Sequence, residues 1–313
     1  MQLRGHHIDH YRVRSLLKKG GMGEIYLAED TRLDRFVAIK VIWTDASHYD
    51  DVENAEEAIR LFLREAQTLA KFDHPHILPI YSSGEDSIDG MTFMYLVMPY
   101  HAEGSLADWL HLHLKRNVLS IWDIERIVNQ AASALQHAHD LSIIHQDVKT
   151  SNFLIHGEAL YPSKLELKLA DFGIARLMSS SNKSQHNRGT PLYMAPEQWM
   201  GNPVPATDQY ALAVMAYELL TGHPPFNGFT KEQLWHQHRY FRPEPPSNYN
   251  PHIPSSLDAV ILKALEKRPE KRFASVNAFA EAFRLALLTD KHIARTHGRV
   301  SEPLSVPNVS TLE

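Results

Sequence analysis

The spacing of apolar residues changes character along this chain. Phe36-Val37-Ala38-Ile39-Lys40-Val41-Ile42 is rich in β-branched residues and contains no glycine or proline, which predicts a strand. Between Glu53 and Ala70 the apolar residues Ile59, Phe62, Ala66 and Leu69 recur at helical spacing, so a helix is expected there. Pro75 and Pro79 follow, and Thr92 to Tyr100 has the look of a buried strand. Beyond Gly104 helical periodicity dominates, over Ser105–Leu114, Ile121–Asp140, Thr207–Thr221, Ser255–Glu266 and Val276–Leu288. Short strands are expected near Phe153–His156 and Leu165–Leu169. Strands first and helices later describe a two-part α+β body with a hinge near Tyr100–Gly104. The residues from Thr289 to Glu313 are rich in Ser, Pro and Thr with little periodicity, and read as a linker-like tail.

Composition narrows the class. The 313 residues carry 32 Lys and Arg against 37 Asp and Glu, a formal charge of −5, which argues against bulk nucleic-acid binding. Hydrophobic residues at 43% and charged residues at 22% are those of a globular chain, not a disordered one. Cysteine is absent, which removes disulfides, thiolate metal sites and cysteine nucleophiles and fits a reducing compartment. The histidines fall as pairs two apart, such as His111/His113, His137/His139 and His236/His238, on different faces of a helix, and there is no His-Glu-x-x-His. They are expected to be solvated or packed rather than metal-bound. No stretch approaches the ~18 apolar residues of a membrane span. Tyr210 to Leu220 is short and carries Glu218, and Met-Gln-Leu-Arg-Gly-His-His has no apolar core of a secretory signal. A cytoplasmic body is expected.

Three segments carry chemistry. Gly20-Gly21-Met22-Gly23-Glu24-Ile25-Tyr26 lies between two candidate strands, where glycines let backbone N–H groups approach phosphate oxygens; a plain hairpin turn reads equally well. In Ala38-Ile39-Lys40 the two-residue period of a strand puts a small residue beside a cation on one face. The third segment is the most specific. His145-Gln146-Asp147-Val148-Lys149-Thr150-Ser151-Asn152, followed by Asp171-Phe172-Gly173, gathers a base, a cation, a carboxamide and a carboxylate. Asn152 and Asp171 offer the hard oxygen donors that suit Mg²⁺. Asp147 can accept a hydroxyl proton, and Lys149 can neutralise charge on a transferring phosphoryl group. Each fixed position matches by chance about once in ten to twenty, so the ordered set is not accidental.

On these motifs the chain resembles the eukaryotic-type protein kinases, most closely the bacterial Ser/Thr kinases, from about Tyr11 to Leu288. The resemblance implies a bilobal α+β fold: a small β-rich N-lobe (11–98) with one regulatory helix, a hinge (99–104) and a larger, mainly helical C-lobe (105–288). Residues 1–10 would be an N-terminal extension and 289–313 the tail. It implies ATP and Mg²⁺ as cofactors. Gly20, Gly21 and Gly23 would cover the phosphates, with Ile25 closing over the adenine and Ala38 beside it. Lys40 would hold the α- and β-phosphates, positioned by Glu65. Met98 would be the gatekeeper, Pro99 and His101 the hinge partners of adenine, and Leu154 the floor beneath it. Asp147 would be the catalytic aspartate, Lys149 the γ-phosphate lysine, and Asn152 and Asp171 the metal ligands. Glu197 of Ala195-Pro196-Glu197 should pair with Arg272, and Asp208 should fix the catalytic-loop backbone. Lys149 together with Gly189-Thr190 implies the Ser/Thr class.

The family pattern is broken in three places. Lys18 stands where the phosphate loop usually has its first glycine. Gln146 replaces the arginine that normally pairs with an activation-segment phosphate, so ordering through this residue should not need phosphorylation. In the alternative, Arg176, Arg188 or Lys183 receives the phosphate. Third, His156 to Lys164 forms a long hairpin, expected to be a neutral surface insertion. The function implied is transfer of the γ-phosphate of ATP to Ser/Thr hydroxyls of proteins, with Ser179, Ser180, Ser181, Ser184 and Thr190 as candidate sites of autophosphorylation. The rival reading is a pseudokinase-type ATP-binding scaffold, favoured by Lys18 and Gln146 but opposed by the intact Lys40, Glu65, Asp147, Lys149, Asn152 and Asp171. A small-molecule phosphotransferase is opposed by Thr190 and Ala195-Pro196-Glu197, which in kinases shape a peptide-docking surface. Neither nucleic acid nor a membrane segment is expected. Kinases of this group often continue into a membrane span, so a cytoplasmic piece of a longer anchored protein fits as well.

Overall fold

A computed structural model describes residues 3–20, 23–43, 62, 66–67, 69–113, 119–157, 161–172 and 189–289. The chain divides into two compact units, and the division falls between Ala102 and Glu103. Among the described residues the first unit holds 3–73, 77–102 and 172, and the second holds 74–76, 103–171 and 189–289.

The first unit is built on six strands: β1 (His7–Ile8), β2 (Tyr11–Gly20), β3 (Gly23–Asp30), β4 (Arg35–Trp43), β5 (Ser82–Ile88) and β6 (Met91–Pro99). They form one antiparallel sheet in the order β1-β2-β3-β4-β6-β5. Alternation along β3, β4 and β6 sorts the side chains to two faces. One face packs Tyr26, Ala28, Val37, Ile39, Val41, Phe93, Tyr95 and Val97 into a core that Leu3 and Ile8 complete. The register sets Ile25 opposite Lys40, Leu27 opposite Ala38, and Ala38 opposite Met98, so the other face carries these residues together. The β3–β4 turn is held by Asp30, whose Oδ1 accepts the Arg32 and Leu33 N–H groups at 3.1 Å each. Of the helix expected over Glu53–Ala70, Phe62, Ala66 and Leu69 are described, and all three are buried. Glu65 and Gly21 lie outside the described residues.

The second unit contains α1 (Leu106–His113), α2 (Ile121–Asp140), the antiparallel hairpin β7 (Phe153–His156) and β8 (Glu166–Leu169), and then α3 (Pro196–Trp199), α4 (Pro205–Thr221), α5 (Lys231–Tyr240), α6 (Ser255–Ala264) and α7 (Val276–Thr289). A capping box opens α2: Ser120 Oγ accepts the Asp123 N–H and the Asp123 carboxylate accepts the Ser120 N–H. α4 starts with Pro205 in its first turn and stops at Gly222 in a left-handed conformation (φ 77°). It is buried on almost every side, packed against α2, α6 and α7. Among the described residues no helix is long and apolar enough to cross a membrane.

Candidate active site

The segment between α2 and β7 is fixed by its backbone. Asp208, wholly buried near the start of α4, accepts the His145 N–H at 2.8 Å on Oδ2 and the Gln146 N–H at 2.7 Å on Oδ1. His139 of α2 donates to the same Oδ2 at 2.8 Å. Gln146 has φ 67°, a left-handed conformation that costs a side-chain-bearing residue energy and persists only where its surroundings impose it. The His145 ring bridges this loop to the end of β8. Its Nε2–H donates to the Ala170 carbonyl at 2.9 Å, and its Nδ1 accepts the Asp147 N–H at 3.2 Å. That pair of bonds defines the tautomer.

The Asp147 carboxylate lies at the centre of a polar cluster. Lys149 Nζ is 2.7 Å from its Oδ2, and Asn152 Nδ2 donates to the same oxygen at 3.1 Å. Its Oδ1 accepts both the Thr190 N–H at 3.0 Å and the Thr190 hydroxyl at 2.9 Å. Lys149 also donates to Thr190 Oγ at 2.7 Å. A hydroxyl is thus held between an ammonium that donates to it and a carboxylate that accepts its hydrogen bond. Burial alone would raise the Asp147 carboxyl, but the bond and charge of Lys149 and the bond from Thr190 outweigh it and hold the group below its ordinary value of 3.8.

Asn152 and Asp171 are candidates for a metal. The Asn152 amide nitrogen is committed, at 2.8 Å to the Asp147 carbonyl as well as to the carboxylate, which leaves its Oδ1 as an acceptor. The Ala170 N–H donates to the Asn152 carbonyl at 2.8 Å, so Asn152 lies beside the residue that precedes Asp171. Asp171 is exposed and held at φ 62°. An amide oxygen and a carboxylate fit a hard divalent cation.

In the first unit, of the two described glycines of the phosphate loop only Gly23 has a backbone that requires glycine. Gly23 has φ 127°, and a Cβ there would lie 2.3 Å from the Val41 carbonyl oxygen, whereas at Gly20 the nearest atom would be 3.9 Å away. Lys18 pairs with Ile25 inside the β2–β3 ladder, after two register slips. Lys40 and Ala38 are buried on β4, and Met98, Pro99 and His101 are half-buried at and just beyond the end of β6. Leu154, also half-buried, lies on β7 of the second unit, bridged to Ser105.

The expected pair of Glu197 and Arg272 is present. Arg272 Nη1 and Nη2 donate to the two carboxylate oxygens at 2.6 and 2.9 Å, and its remaining N–H groups reach the carbonyls of Glu266, Lys267 and Ala206. Three contacts were not foreseen from the sequence. These are the paired hydrogen bonds from Thr190 to Asp147, the His139–Asp208 hydrogen bond, and a hydrogen bond from Gln198 Nε2 to the Gln146 carbonyl at 2.7 Å. Of the donors in these contacts, only Thr190 had a signal in the sequence, its place beside Gly189.

This fold and cluster define a protein kinase domain. The chain matches the model of the protein kinase domain family over residues 11–284 and belongs to that family, and the curated relatives it matches are bacterial Ser/Thr protein kinases. It is 37% identical over 272 residues to the serine/threonine-protein kinase PknB of Mycobacterium leprae and 36% identical over 277 residues to that of Mycobacterium tuberculosis. In both cases the match covers 86% of this chain and 41% of the relative, so the chain spans less than half the length of these relatives. The crystal structure of the M. tuberculosis PknI kinase domain superposes with a TM-score of 0.66 at 30% identity, covering 90% of this chain and 98% of that one.

Proposed function

We propose that this chain is an active ATP-dependent protein Ser/Thr kinase that uses Mg²⁺. One observation carries the reading: a hydroxyl seated between Lys149 Nζ and the Asp147 carboxylate. In the reaction a substrate Ser or Thr hydroxyl takes that position. As its oxygen bonds to the γ-phosphorus, the bond from that phosphorus to the bridging oxygen of the β-phosphate breaks, ADP departs, and the hydroxyl proton passes to Asp147. Lys149 offsets negative charge on the phosphoryl oxygens. Asn152 and Asp171 would hold Mg²⁺, which supplies positive charge to the phosphates. In the first unit Lys40 would bind the α- and β-phosphates, with Glu65 orienting it. Gly20, Gly21 and Gly23 would cover the phosphates, and Ile25, Ala38, Met98, Pro99 and His101, with Leu154, would enclose the adenine. Protein substrates follow from the Ser/Thr class, and the chain itself is one candidate, at Ser179, Ser180, Ser181, Ser184 or Thr190. A reducing, ATP-containing cytoplasm suits a chain with no cysteine.

The test is Mg²⁺-dependent transfer of labelled phosphate from ATP to the chain and to a generic basic protein, beside Asp147→Asn. The substitution should lower the rate by a factor of about 10²–10⁴ while leaving the fold intact. Undiminished transfer would remove Asp147 from its role. No transfer by either protein, with a thermal shift on adding ATP and Mg²⁺, would favour an ATP-binding scaffold.

A further inference from the structure

The peptide between Gln146 and Asp147 is gripped at both ends. Its N–H donates to His145 Nδ1, and its C=O accepts from Gln198 Nε2 at 2.7 Å. The preceding peptide is held by Asp208 through the Gln146 N–H. Gln146 itself has φ 67°, so nothing intrinsic to the residue favours this geometry. The carbonyl bond from Gln198 is therefore one of the contacts that maintain it.

Gln198 is well placed to act as a fixed point. It is buried on α3, one residue after Glu197, whose carboxylate is locked to Arg272 and to the Thr207 hydroxyl. The same amide also abuts the backbone at Gly189. A Cβ on Gly189 would lie 2.6 Å from Gln198 Nε2 and 3.1 Å from the Gln146 carbonyl oxygen, so this backbone packs directly over the Gln198–Gln146 bond. The next residue, Thr190, closes on Asp147. One amide thus sets the peptide that carries Asp147 and underlies the residue beside Thr190.

We infer that Gln198 is a positioning residue for Asp147, holding the catalytic-loop peptide and the Gly189-Thr190 backbone in register through the Gln146 carbonyl. The inference rests on Asp147 being the catalytic carboxylate.

Gln198→Met keeps the length and shape of the side chain and removes the donor. It should lower kcat about tenfold to a hundredfold, as a misplaced catalytic group does, with the KM for ATP essentially unchanged. Where the methionine variant misfolds, Gln198→Asn withdraws the amide by one methylene and is read in the same way. An unchanged kcat would overturn the inference. So would a loss that merely tracks a fall in melting temperature, with the KM for ATP rising as kcat falls, since that marks a purely structural role. Asp147→Asn run alongside separates the two levels. If it is inactive while Gln198→Met matches wild type, only the positioning role fails; if it keeps its activity, the catalytic reading itself fails.

Discussion

At the scale of single residues, Asp147 shows how environment sets chemistry. Burial would raise its carboxyl, yet Lys149 and Thr190 hold it below 3.8, so the base form is present throughout the neutral range. Because the folded-state value is depressed, activity that needs the carboxylate is complete above it and is lost only as pH falls through it. At saturating nucleotide, the rate should therefore be insensitive to Asp147 from about pH 8 down to about pH 5. Lys149→Met removes the largest opposing contribution and leaves burial in place. Its acid limb should move upward, and a limb at the wild-type position would show that Lys149 does not tune this carboxylate. Much of this site was legible in the sequence, because His145, Asp147, Lys149, Asn152 and Asp171 are close together and chemically distinctive. What was not legible is the bonding at Gln146. A backbone carbonyl has no letter, and its partner Gln198 lies 52 positions away on another element.

Elements differ in how plainly they announce themselves. The span of α2 was readable to the residue because an apolar stripe runs its length behind a Ser120–Asp123 capping box. β5 was not readable: Ser-Ser-Gly-Glu-Asp-Ser-Ile has no apolar alternation, being an edge strand paired only with β6. α5 was missed for a related reason, since it buries only Leu234 and His238, one turn apart, too few to form a stripe. α4 begins at Pro205 rather than Thr207 because proline fits the first helical turn. The short α3 has no pattern of its own, and its place depends on the Glu197–Arg272 pair. Both partners are almost wholly buried, and every Arg272 N–H has an acceptor. Removing one partner strands the other charge, at a cost of about 3–5 kcal/mol. Arg272→Met should therefore lower the melting temperature by on the order of 10 °C. Combining it with Glu197→Leu should recover part of that loss, since two apolar groups strand no charge. A single substitution that leaves the melting temperature unchanged would mean the pair holds nothing in place.

Across the whole molecule, the two units draw on different parts of the sequence for their cores. The second unit gathers its helices around α4 and takes in residues 74–76 through bonds to β8. The Leu169 N–H donates to the His76 carbonyl at 2.8 Å, and the His76 ring is 3.1 Å from the Leu167 carbonyl. The first unit reaches back before the family match, which begins at residue 11. Leu3 and Ile8 are 0% exposed there, and β1 adds a strand to the edge beside β2. Neither residue belongs to a motif, and two apolar letters in a polar leader carry no period, so their burial was hidden in the sequence. Burial nevertheless predicts a local effect. Leu3→Ala or Ile8→Ala should each cost about 2–5 kcal/mol, since both sit in the packed face formed by Tyr26, Ile39 and Val97. Hydrogen exchange followed by mass spectrometry can locate that loss. Protection should fall in β2, β3 and β4 while α2, α4 and α7 keep theirs, because the missing contacts all belong to the first unit. An equal loss in both sets would show that the chain unfolds as one cooperative body. No change in either would show that the first ten residues are dispensable to the sheet they join.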